Sequence, residues 1–186
     1  MTKEVEMDIV ALIRKDHTDV RSTLSRISTG EVGERWSTYS QLAGLLIRHE
    51  VAEELVVYPE LLKLRGGSAV TDSRLQDQAV IEQLLIGLDR LEFETPAFER
   101  ISSRLALEVL DHLGKEDAQV LPLLQTKLGR RRRVALGRRF HEIEEVAPTL
   151  GLPSAGRLPT GPTVIDRTSA ISTWLRDSAA VSGLAC

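Results

Sequence analysis

Apolar residues recur at intervals of three and four along four successive stretches of the chain, and this spacing constrains the fold more than any other feature. In the first, Ile9, Ile13, Val20, Leu24 and Ile27 share one stripe, an arrangement that an α-helix brings to a single face. That helix is predicted from Val5 to Ile27. After the punctuation at Gly30 and Gly33, a second stripe runs through Leu42, Leu45, Leu46, Ala52 and Val56 toward Leu64 and stops at Gly66-Gly67-Ser68. A third, from Ser73 to Leu91, carries Leu75, Ile81, Leu85 and Leu88. The fourth opens at Pro96, a favoured first-turn residue, and continues through Leu105, Val109 and Val120 to Leu128. No stretch alternates as a half-buried strand would, and aromatic residues make up only 4% of the chain. The fold class is therefore all-α, and the short connections predict an antiparallel up-down-up-down four-helix bundle over residues 1–128.

Residues 129–186 add to that bundle. Four arginines, Arg130 to Arg133, lead into Val134, Leu136, Phe140, Ile143 and Val146, a shorter amphipathic helix that must end near Pro148. Residues 151–162 hold three prolines and three glycines and read as a linker, followed by a weak helical pattern through Val164, Ile165, Ile171, Trp174 and Leu175. Apolar residues at 42% supply a core without disulfides, for which the single Cys186 could not serve. No apolar run approaches the roughly 20 residues of a membrane span, so no membrane partner is expected. The acidic start Met1-Thr-Lys-Glu-Val-Glu lacks the character of a signal peptide, which points to a cytoplasmic protein. With a net charge of -3, nucleic acid is not an expected partner, and the arginine run is read as a solvated helix junction.

Ionisable residues interrupt the stripes where the core should be. His17 fills the gap between Ile13 and Val20; His49 and Glu53 stand between Leu46 and Val56; His112 and Glu116 stand between Val109 and Val120. Burying a carboxylate without a partner costs several kcal/mol, so a chain that does so twice needs a compensating cation. The two His-x-x-x-Glu turns look like a repeat, since a proline follows ten residues after each histidine, at Pro59 and at Pro122. Spacing of i,i+4 puts an imidazole and a carboxylate on one helix face. Mixed nitrogen and oxygen donors suit iron, manganese or zinc, and two facing sets suit a carboxylate-bridged pair. His141, among charged neighbours beyond the bundle, is expected at the surface.

These five residues resemble the pattern of the hemerythrin-like, or HHE cation-binding, family. The resemblance covers roughly the first 128 residues and implies a four-helix bundle holding two iron ions with an oxo or hydroxo bridge. It carries ligand roles onto His17, His49, Glu53, His112 and Glu116. The third helix departs from it, because Gln78 stands where the family has a histidine, and one iron is left short of a ligand. Tyr58 is ranked first to fill the gap: it precedes Pro59, which disfavours helical backbone at that residue and would let the side chain bend back. Against this, a regular helix puts Tyr58 about 140° from Glu53, and a helix-capping role is the alternative. Glu50 and Glu82 are the other candidates.

Other chemistry finds no support. Glu53 stands where a zinc-protease helix needs its second histidine, no histidine has Glu three residues before it as in ferritin-like bundles, and neither a phosphate-binding loop nor a nucleophile elbow is present. The resemblance leaves oxygen carriage, sensing of oxygen or iron, and turnover of peroxide or nitric oxide. Losing a histidine and gaining a phenolate favours ferric iron, so a catalase-like or peroxidase-like activity is expected ahead of carriage. A sensor or iron-binding protein without turnover is the alternative.

Overall fold

The computed structural model describes residues 7–30 and 32–147, and all their regular structure is helical. Helix α1 (Ile9–Thr29) starts after Val5 because Asp8 caps it, its carboxylate accepting the Val10 N–H at 3.0 Å. Helix α2 runs as Val32–Ala52, passes through one π-helical turn, Glu53–Val57, and ends in the α-helical turn Tyr58–Leu61. It therefore contains Gly33 instead of starting beyond it. Gly66, at φ 84°, turns the chain, and a side chain on Gly67 would collide with the Leu61 carbonyl. Helix α3 (Gly67–Asp89) begins at that corner, earlier than Ser73. Helix α4 (Pro96–Lys127) is capped by Thr95, whose hydroxyl accepts the Phe98 N–H at 3.2 Å. The added helix is α5 (Arg130–Val146). The predicted linker, the weak terminal helix and Cys186 lie outside the described residues.

His17 faces His49 while Arg26 reaches Gln41, so α1 and α2 run antiparallel; Lys115 meets Asp77 while Gly87 lies against Ile101, and α3 and α4 do the same. The interior has two apolar halves. Val20, Leu24, Leu42, Leu46, Ile81, Leu85, Leu105 and Val109 belong to one, and Ile9, Ile13, Val51, Val56, Leu61, Val120 and Leu124 to the other. His17, His49, Glu53, Gln78, His112 and Glu116 form a buried polar layer between them. The apolar stripes on either side of each interruption thus hold the polar layer at one level of the bundle.

Helix α3 buries the predicted Ile81, Leu85 and Leu88 and departs from the predicted stripe at Leu75. Leu75 is 40% exposed, and Arg74 takes the inward position on a stripe with Thr71, Gln78, Ile81, Leu85 and Leu88. Helix α5 docks on α1 and α2 through Leu136, Phe140 and Ile143, and burying Phe140 alone is worth roughly 2–3 kcal/mol. Gly137 permits this approach, since a side chain there would strike the Met7 carbonyl. Two of the four arginines expected as a solvated junction are anchors: Arg132 pairs with Glu60 at 2.5 Å and Arg133 with Asp8 at 2.8 Å. Arg130 and Arg131 are exposed. No helix among the described residues is long and apolar enough to cross a membrane.

Candidate metal centre

Three imidazoles and two carboxylates converge in the polar layer. Glu116 Oε2 lies 3.2 Å from His17 Nε2, 3.5 Å from His112 Nε2 and 3.8 Å from His49 Nε2, and His49 Nε2 is 3.7 Å from Glu53 Oε1. A cation with bonds of about 2.1 Å holds adjacent donors about 3 Å apart and opposite ones about 4 Å apart. The observed separations fall in that range. His17, His49 and Glu116 form one trio able to hold a metal ion, and Glu53, His112 and Glu116 form a second. Glu116 belongs to both, as a bridging carboxylate would. The three Nε2 atoms, Glu53 Oε1 and Glu116 Oε2 are buried and have no hydrogen-bond partner among the described residues. Five buried, unsatisfied polar atoms aimed at one space fit a pair of cations.

Tyr58 and Gln78 close the layer on the α3 side. Gln78 Nε2 donates to Tyr58 Oη at 2.6 Å and to Glu53 Oε2 at 3.2 Å, and the Tyr58 hydroxyl donates in turn toward Glu53 Oε2 at 3.1 Å and Glu116 Oε1 at 3.3 Å. The inward position of Tyr58 has a different cause from the one the proline suggested. Its backbone is ordinary right-handed helix, φ -64° and ψ -38°, so Pro59 has not bent it out. Instead the Tyr58 N–H bonds to the Glu53 carbonyl five residues back. That extra residue in the turn rotates the remainder of the helix by about 100°, which turns a 140° misalignment into a shared face. Glu50 is buried and Glu82 half-buried, but neither belongs to the metal-capable trios among the described residues. His141 is about half exposed and pairs with Glu145 at 3.4 Å.

Sequence reasoning missed the outer carboxylates. Asp117 Oδ1 stands 2.8 Å from His17 Nδ1, Asp16 Oδ2 3.4 Å from His49 Nδ1, and Asp77 Oδ2 3.7 Å from His112 Nδ1. Each histidine therefore turns Nδ1 toward an acid and Nε2 toward the centre, the orientation that outer partners impose on metal-binding imidazoles. The signal was adjacency: Asp16 precedes His17, Asp77 precedes Gln78 and Asp117 follows Glu116.

Residues 8–147 match the hemerythrin HHE cation-binding domain. The chain belongs to that family. An uncharacterised hemerythrin-like protein of Schizosaccharomyces pombe is 25% identical over 170 residues, covering 89% of this HHE chain and 83% of the yeast protein. A DNA nickase of Nostoc is 25% identical over 124 residues, covering 66% of the chain but only 35% of the Nostoc protein. No solved structure matches significantly. The HHE match extends past the four-helix core to include α5, whose Phe140 ring packs edge-on to His49 with centroids 6.0 Å apart.

Without cations, the HHE cluster is electrostatically strained. Burial, and then the Glu116 carboxylate, push Glu53 well above the usual carboxylate range. For Glu116, burial acts in the same sense but is outweighed by His17, His49 and His112, which hold it well below. Burial would lower His49, yet Glu53, Asp16 and Glu116 raise it well above its ordinary value; burial does lower His112. Burial, and then Glu53 and Glu116, push the Tyr58 phenol well up. Cations bound there would displace these protons and relieve the clash, and their uptake would be coupled to proton release.

Proposed function

We propose that the cluster holds two iron ions and that the protein turns over small oxidants, peroxide or nitric oxide, in a catalase-like or peroxidase-like manner. The carrying observation is the set of five unsatisfied buried atoms shared through Glu116 Oε2. On this reading His17 and His49 hold one ion and His112, Glu53 and Tyr58 the other, with Glu116 between them. When bound, an iron pair supplies the two-electron change needed to convert two H₂O₂ into O₂ and two H₂O. The side chains do the rest. Carboxylate and phenol oxygens on the His112 side form a hard donor set that favours the ferric state over reversible oxygen carriage. Burial of every member at 3% exposure or less excludes bulky substrates. Nicking is a property of the Nostoc protein, and a likeness over a third of its length supports no such reading here.

A test is peroxide added to the iron-loaded protein under an oxygen electrode. Oxygen release that disappears in Glu53→Ala supports turnover, whereas a stable reversible oxygen adduct without release would replace it with carriage. One contact favours a second reading, sensing without turnover: Phe140 against His49 links the centre to α5. A sensor would give no turnover but would expose α5 to proteolysis on metal or redox change.

A further inference from the structure

We infer that Gln78 is a positioning residue for Tyr58, its carboxamide N–H donating a hydrogen bond to the tyrosine oxygen and moderating that oxygen as a metal ligand. The inference rests on Tyr58 ligation as proposed above and assigns a role to a residue that otherwise marks only a missing histidine. At 2.6 Å, the contact from Gln78 Nε2 to Tyr58 Oη is shorter than the 3.2 Å contact to Glu53 Oε2. Of the two acceptors, Glu53 belongs to a metal-capable trio among the described residues. The NH₂ end of the amide is the end that faces both oxygens. The other end, Oε1, is buried and has no hydrogen-bond partner among the described residues, so the side chain acts here as a donor. Gln78 is 3% exposed on the inward stripe of α3, between Arg74 and Ile81, where packing holds its position.

A hydrogen bond to an anionic oxygen is charge-assisted and withdraws electron density from it. A phenolate so held donates less to ferric iron, which leaves the metal easier to reduce and places the phenolate-to-iron charge-transfer band at shorter wavelength. Gln78 thereby offsets the ferric bias that Tyr58 introduces, which a centre cycling between oxidation states requires.

The test compares optical and resonance Raman spectra of the iron-loaded wild type, Tyr58→Phe and Gln78→Leu, a change that keeps bulk and removes both donors. The band should vanish in Tyr58→Phe and move to longer wavelength in Gln78→Leu, with a lower reduction potential. In the wild type, exchange into D₂O should shift the phenolate vibrations, and in Gln78→Leu it should not. A band that survives in Tyr58→Phe overturns Tyr58 ligation and this inference with it. A band lost in Tyr58→Phe but unmoved in Gln78→Leu overturns the Gln78 role alone. Should Gln78→Leu fail to fold, the wild-type D₂O experiment decides by itself: phenolate vibrations insensitive to exchange overturn the role.

Discussion

Glu116 is the side chain that both metal-capable trios share, and the two halves of the centre should respond differently to substitution. Glu116→Ala should strip both ions. Glu53→Ala, which removes a member of the His112 trio alone, should retain roughly half of the iron, as metal analysis of the purified variants will measure. Equal losses in the two would contradict the shared carboxylate. The outer acids act one step removed: Asp117→Asn should weaken metal binding about 10–100-fold in a chelator competition, since His17 loses the partner that orients its ring. At this scale His17, His49, Glu53, His112 and Glu116 were legible because each breaks an apolar stripe. Asp16, Asp77 and Asp117 were not, because each lies one residue, about 100° of helix, from a site residue. Which neighbouring histidine an acid so placed will face is decided by how the helices pack.

Among the elements, the π-helical turn of α2 decides whether Tyr58 belongs to the centre. Deleting Leu55, a half-buried residue within Glu53–Val57, should restore an ordinary helix that leaves Tyr58 four residues after Glu53 and still on its face. The iron-loaded deletion protein should then keep, in an absorption spectrum, the visible band that Tyr58→Phe loses. A lost band would contradict this account of the turn. Nothing in the sequence announces this turn. The two His-x-x-x-Glu segments are each followed by proline at the same interval, yet Pro59 follows a π turn while Pro122 sits inside the uninterrupted α4. Helix existence, order and the inward face of α3 at Ile81, Leu85 and Leu88 were plain from periodicity, whereas the place of Leu75 was not. Leu75 looked like a core residue because the buried position falls to Arg74, whose guanidinium pairs with Asp77 at 3.0 Å in an otherwise apolar stripe.

Across the whole molecule, α5 ties the bundle to its centre through the Glu60–Arg132 and Asp8–Arg133 pairs, Phe140, and Glu144 beside Asp16. Burial and the Asp16 charge push Glu144 from 4.5 up to about 7. A carboxyl raised on folding binds its proton more tightly in the folded state, so stability falls as pH rises from 4.5 toward about 7. Glu144→Gln should flatten that slope and raise the melting temperature at pH about 8, as calorimetry across the range will read; a lower melting temperature there would contradict it. Iron held as proposed, by the folded cluster and not by the unfolded chain, should raise the melting temperature of the whole molecule. Metal content tests the central claim most directly. Protein purified from iron-replete cells and measured by elemental mass spectrometry should carry about two iron ions per chain, and a single zinc, or no transition metal at all, would contradict the account.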